Sequence, residues 1–214
     1  MEDYILEIKF DIIDTQKADP EVIKKVNSKL GNSLPEYLRS EVSENLNLDQ
    51  NLINLYRVYD GLKIDWATND ERVVGGQMHF LSMEEIIKSW EGYLYEDDEV
   101  AADADIRFFH PFDLISEEAQ CGIIIDPNSD IKSIFYNYSG EMEIYSLDID
   151  FKGYLEMALD AKIFYYWPKI LLDIKNNEES EETTKFREEM PKIFKNFNFN
   201  QFVEKYNSLR ISNS

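Results

Sequence analysis

Apolar side chains at Tyr4, Ile5, Ile8 and Ile12 recur at helical spacing near the start of the chain, although Ile8, Phe10 and Ile12 also alternate as a strand would. Asp19-Pro20-Glu21 reads as a helix start: a capping carboxylate, a proline in the first turn, and an acid near the positive end of the dipole. The pattern predicts a helix from there to about residue 30, stopped by Gly31-Asn32. Pro35 reopens the chain. A further helix over 50–59 places Leu52, Leu55, Tyr56 and Tyr59 on one face. Asp60-Gly61 ends it, because glycine tolerates the left-handed turn.

Past Gly61 the period shortens to two. Leu62, Ile64 and Trp66 alternate toward one buried side. Strands are predicted over 73–81, 106–112, 122–126, 131–138 and 141–146, with a short helix over 83–90. The segments 126–130 and 139–140 are turn sequences, so the last three strands run antiparallel. Unbroken Ile123-Ile124-Ile125 indicates a strand covered on both faces. A helix over 150–161 carries Tyr154, Leu155, Ala158 and Leu159 toward the core, and an aromatic segment through Trp167 follows to residue 174. Residues 176–184 read as an exposed acidic linker, and 185–194 and 200–209 as two short helices. Phe194, Phe197, Phe199 and Phe202, on and between those helices, require burial, against the main domain first and in a dimer contact second. The expected class is α+β: N-terminal helices, a central, mostly antiparallel sheet, and C-terminal helices packed on it. The expected organisation is a domain over 1–175, a linker over 176–184 and a helical extension over 185–214.

Composition narrows the function. Hydrophobic residues make up 43% of the chain and aromatics 14%, enough for a ring-rich core. The net charge is -21, and residues from 176 onward hold seven acids and six bases, so the first 175 carry -20 of it. Such a surface excludes nucleic acid as a natural partner, since phosphates are bound by Lys and Arg, and favours a basic protein. No apolar run approaches the roughly 20 residues of a membrane-spanning helix, and Met1-Glu2-Asp3-Tyr4 opens acidic where a signal peptide opens basic. The lone Cys121 excludes an internal disulfide and is expected to be a buried strand residue in a cytoplasmic protein. His79 and His110 belong to no metal or catalytic pattern, and no set of nucleophile, base and oxyanion donor is visible, so no enzymatic role and no cofactor is assigned.

One stretch stands apart. Glu91, Glu96, Asp97, Asp98, Glu99, Asp103 and Asp105 put seven negative charges into 15 residues with no base among them, interspersed with Tyr93, Leu94 and Tyr95. Like charges repel, so the segment is solvated, faces a positive partner or holds a metal. Calcium would find hard oxygens here, but the EF-hand spacing with its central glycine is missing. Acids beside tyrosines suit a protein interface, because Tyr supplies contact area at low entropic cost.

Three spaced segments carry a family likeness. The first runs from Leu34-Pro35-x-Tyr37 through Leu55-Tyr56-x-x-Tyr59-Asp60-Gly61-Leu62-x-Ile64-x-Trp66. The second is Phe109-x-Pro111-Phe112 with Gly122-Ile123-Ile124-Ile125-Asp126, and the third is Phe151-x-x-Tyr154-Leu155-x-x-Ala158-Leu159 closing on Tyr165-Tyr166-Trp167-Pro168. In this order they resemble the SUKH superfamily, the Smi/Knr-type domain of bacterial toxin-immunity proteins, over residues 20–172. The resemblance implies that Pro35, Asp60, Gly61, Trp66, Gly122, Asp126 and Trp167 define the fold. It also implies a cytoplasmic immunity protein that binds and neutralises a cognate polymorphic or contact-dependent toxin. A basic nuclease would meet the acidic stretch. The alternative is a regulatory or scaffold module of the same fold. The stretch around 91–105 and the tail after residue 176 exceed a minimal domain of this kind.

Overall fold

Alternation toward one side is what assembles the sheet. The computed structural model describes residues 1–38, 46–68, 74–98, 100–126 and 131–211. In β2 (Leu62–Thr68) the side chains of Leu62, Ile64 and Trp66 are buried, as the alternation predicts. Antiparallel pairing with β3 (Gly75–Phe80) sets them beside Phe80, Met78 and Gly76. The meander continues through β4 (Phe109–Leu114), β5 (Ala119–Ile124), β6 (Phe135–Tyr138) and β7 (Tyr145–Ser146). With β1 (Ile23–Leu30) on the far side of β2, the seven strands stand in chain order, each antiparallel to the next. The fold is α+β.

β1 corrects the expected helix over 19–30. Asp19 ends the preceding helix, its N–H bonded to Thr15 O at 2.9 Å, and Pro20 follows it as a stop. Register shifts between Ile23 and Lys25, so Lys24 is an extra residue in the ladder. That bulge puts Ile23 and Val26 on the same face, a three-residue spacing that mimics a helix. Of the two readings open for the N-terminal segment, the helical one holds: α1 spans Glu2–Ala18, with Ile5, Ile8 and Ile12 fully buried.

The residues expected to define the fold take structural places. Pro35 precedes a helical segment that begins at Glu36, its carbonyl accepting from Leu38 N–H. α2 (Gln50–Tyr56) follows, and Asp60 takes the Met83 N–H at 2.7 Å, fixing the start of α3 (Met83–Ile87). Gly61 sits at φ +83°, where a side chain is strained. Trp66 is buried and donates through Nε1 to Lys162 O at 2.7 Å. A Cβ on Gly122 would lie 2.4 Å from the Phe109 ring, so only glycine lets that ring lie across β5. Trp167, fully buried, opens a helix, and Asp126 is half-buried just beyond β5. Cys121 is buried in β5, as anticipated.

Other boundaries shift. Residues 105–108 form a 3-10 turn instead of the start of a strand, β6 begins only at Phe135, and β7 is confined to two residues. Of the turn expected at 126–130, residues 127–130 lie outside the described residues, as does Val73.

α4 (Phe151–Asp160) lies in the core beneath the sheet, its N-cap Asp150 accepting from Gly153 N–H. α5 (Trp167–Asn176) follows. The exposed linker over 176–184 is shorter than expected: α6 (Glu181–Ile193) already starts at Glu181, and Thr183 is buried. Asp173 explains this. Its carboxylate accepts from Lys169, the Ser180 hydroxyl and Thr183 Oγ1 (2.6 Å), locking α6 onto α5. α7 (Phe199–Leu209) closes the chain. The C-terminal helices pack back on the main domain: Phe194 meets Trp66 edge-on at 5.4 Å, Phe186 meets Phe164 at 5.3 Å, and the Tyr206 hydroxyl donates to Leu147 O at 2.9 Å. Arg210 and Lys175 both bind Asp148. Among the described residues no helix is long and apolar enough to cross a membrane.

Candidate partner-binding surface

The described residues of the acidic stretch form a flap over the outer face of the sheet. Leu94, Ile106 and Phe109 are buried together there, with Trp90, Tyr95, Val100, Ile124, Phe135 and Ile144 packed around them. This is a second, smaller core, separate from the one under α4. It accounts for the expectation that β5 is covered on both faces: Cys121 and Ile123 point into the main core, and Ile124 toward the flap. Gly122 matters here, since the Phe109 ring that crosses it is part of the floor on which the flap rests.

Chain geometry sorts the flap into an inside and an outside. Residues 90–95 make a tight turn, with Gly92 at φ +79° and its N–H bonded to Tyr95 O at 2.9 Å. Leu94 turns inward; Glu91, Tyr93, Glu96, Asp97, Asp98, Asp103 and Asp105 are exposed, and Tyr95 is half-buried. Glu99 lies outside the described residues. Tyr93, at 77%, is the most exposed of the large apolar side chains described.

Arg107 holds this arrangement together. Its guanidinium donates to Asp97 Oδ1 (2.5 Å), Asp97 O (2.7 Å), Val100 O (2.5 Å) and Ala101 O (2.8 Å). It also lies 5.2 Å from the centre of the Tyr95 ring. The Asp97 hydrogen bond raises the Arg107 pKa, so its charge is secure. A planar fork with five donors can satisfy three carbonyls and a carboxylate at once, which a lysine cannot. On the other side Lys88 sits 4.6 Å from the Trp90 ring and 5.4 Å from that of Tyr93. Trp90 and Tyr93 themselves meet edge-on at 6.1 Å.

Sequence reading placed the acids and tyrosines of this surface and missed its bases. Arg107 carries a signal in retrospect: it is the only Lys or Arg between Lys88 and Lys132. Of the acids, Asp97 is taken up by Arg107 and serves the flap's own structure. Among the described residues no three His, Cys, Asp or Glu side chains come together as a metal site.

Two other places hold polar groups. An open groove of about 480 Å³ lies between α1 and the turn joining α6 to α7, lined in part by Asp11, Asp14, Lys162 and Lys195. Lys162 there is paired with Asp11 at 2.7 Å; Phe194, Phe197 and Phe202 also line the groove, but none of the residues expected to bind a partner does. Inside the core, Asp113 is fully buried and accepts from His79 N–H (2.8 Å) and the Tyr154 hydroxyl (2.7 Å). Sequence reading did not single it out. His79 and His110 are part of the scaffold, His110 Nδ1 lying 2.6 Å from Ile86 O. Burial lowers the pKa of both imidazoles, with Lys63 adding to the effect at His79.

No known protein family, no characterised protein and no solved structure matches this chain.

Proposed function

We propose that this chain is a non-enzymatic binding protein whose acidic flap engages a basic protein domain, and that the domain is a toxin which the chain neutralises. The observation that carries the binding part is the sorting of residues 90–108. Apolar side chains point in, the described carboxylates point out, and Tyr93 projects as an exposed aromatic on a turn pinned from both sides. A pre-ordered surface of this kind loses little entropy on association. Its charge speeds the encounter with a basic partner and selects against acidic ones. The immunity part rests on the likeness to the SUKH superfamily. Nucleases present Lys and Arg to phosphates, so an acidic inhibitor fits the same groove.

The test begins with the tagged protein as bait in its native lysate, washed at low and at high salt, followed by identification of what is held. A toxin domain, basic and released by salt, is the expected catch, and adding this chain should abolish its toxicity at one-to-one ratio. Charge reversal then locates the contact. Because Asp97 is committed to Arg107, the informative variant is Glu96→Lys/Asp98→Lys/Asp103→Lys. It should weaken binding by about a hundredfold or more and flatten the salt dependence. Unchanged affinity in that variant removes the flap from the interface. Capture of cellular regulatory partners in place of a toxin favours the scaffold alternative.

A further inference from the structure

α1 has two apolar faces, and only one of them is used. Ile5, Ile8 and Ile12 are fully buried against the domain. On the opposite side run Asp3, Leu6, Phe10, Ile13 and Lys17, spaced by three, four, three and four residues, so they form one row along the helix. Phe10 is 53% exposed. Leu6 and Ile13 are only half-buried, and none of the three joins either hydrophobic core. A single exposed apolar residue means little, but three in a row on one helix face form a patch.

The two ends of the row say what covers it. Asp3 closes it at one end and Lys17 at the other, with Phe10 midway between them. Turned end for end, the row therefore matches itself: Phe10 meets Phe10, Leu6 falls beside Ile13, and each Asp3 faces a Lys17. A basic partner would leave Lys17 opposed, and an acidic one would leave Asp3 opposed. A second copy satisfies both ends with the same two residues. We propose that two copies of this chain associate antiparallel through the outer face of α1, about a two-fold axis at Phe10. Such an interface is isologous and closes after two subunits.

The flanks temper the affinity. Glu7 and Asp14 border the row on one side and approach their own kind across the axis. Lys17, 3.2 Å from Asp14 in an exposed pair, offsets part of that repulsion. One helix on its twin also buries less than the roughly 1,600 Å² of a standard interface, so a dissociation constant in the micromolar range is expected. The acidic flap belongs to other elements, so dimerisation leaves it to act on its own.

Sedimentation velocity on the full chain, from about 5 to about 500 µM, should show a monomer passing to a dimer and no larger species. Phe10→Ser should weaken the dimer by about a hundredfold, with the far-ultraviolet circular dichroism unchanged. The decisive set is the charge exchange. Asp3→Lys alone and Lys17→Asp alone should each weaken association about tenfold, and the double exchange should restore it. A monomer at every concentration overturns the proposal. So does a dimer indifferent to Phe10→Ser, or a double exchange no better than the single ones. If Phe10→Ser abolishes capture of a partner from the lysate while the wild-type chain stays monomeric, the face belongs to that partner, and the second-copy assignment is wrong.

Discussion

Asp113 is where a single side chain governs a joint of the fold. β3 and β4 share one ladder pair, Phe80 with Asp113, and the register of β4 against β5 shifts between Pro111 and Asp113. The carboxylate fills the gap, taking the His79 N–H that a backbone carbonyl would otherwise accept. Gln77 adds to the closure by donating to Leu114 O and Ile115 O. Burial pushes the Asp113 carboxyl up to about 7, against the lowering effect of the His79 and Tyr154 hydrogen bonds. Tyr56, Tyr154 and Cys121 are the titratable groups that sense it, each pushed well above its ordinary pKa chiefly by its own burial. Between the ordinary carboxylate pKa and pH 7 the folded chain therefore holds a proton that the unfolded chain has released. The resulting stabilisation is complete below pH 4 and is lost as the pH rises through 7. Asp148 and Asp173 act in the opposite sense. Burial raises them, but Lys175, Ser146 and Arg210 at the first, and Lys169, Ser180 and Thr183 at the second, hold them below the usual range. Comparing wild type with Asp113→Asn cancels those contributions. The amide can accept from His79 N–H and donate to the Tyr154 oxygen, and it does not titrate. Urea melts should show the variant gaining on wild type by about 4 kcal/mol between pH 4 and pH 8. A difference constant across that range would mean that Asp113 titrates normally.

At the scale of elements, legibility followed the regularity of the ladder. β2 alternates without interruption and was readable, as was α4 with its three- and four-residue spacing. β1 was not, because the bulge at Lys24 breaks the period of two, and Asp19-Pro20 ends a helix with the same residues that begin one. The outer face of the sheet was half readable: the charges of the flap are plain in the sequence. Its apolar underside depends on Leu94, Ile106 and Phe109, which are scattered over 16 residues and meet only in three dimensions. Asp113 was illegible because a lone acid in a strand looks like a solvent-facing residue until its bonding partners, contributed by β3 and α4, are seen. The C-terminal helices show how one residue can move a boundary. Residues 178–182 look solvated from composition, yet Asp173 recruits Ser180 and Thr183 and starts α6 early. Removing it should loosen the whole extension. Asp173→Ala strips Lys169, Ser180 and Thr183 of their shared acceptor, and a loss of about 3 kcal/mol is expected from breaking a buried charged cluster. Limited proteolysis should then cut within 177–180 well before the wild-type chain is attacked. Equal melting and equal cleavage would show that the aromatic packing of Phe186, Phe194 and Phe202 holds the helices alone.

For the molecule as a whole, the charge of -21 is the dominant long-range fact. Self-repulsion of this size works against the compact state, and its reach depends on salt. At about 0.01 M ionic strength the screening length is about 30 Å, comparable to the domain itself; at about 0.15 M it is about 8 Å. Stability should therefore rise over that interval, although the short ion pairs at Asp148 and Asp11 weaken slightly with salt. The flap carries seven acids in 15 residues, and those described are exposed. Few attractive contacts inside the chain are thus lost when those acids are reversed. Glu96→Lys/Asp98→Lys/Asp103→Lys lowers the net charge from -21 to about -15 and spares the Asp97–Arg107 pair that orders the segment. At low salt this variant should unfold at higher urea than wild type, and the two should converge as salt is added. That outcome would mark the acidity of the flap as a feature the fold tolerates at a cost, consistent with a surface kept for a positive partner. If the variant instead unfolds earlier at every salt concentration, the three carboxylates contribute to the fold, and the loss of partner binding in the same variant would have to be read as a loss of structure.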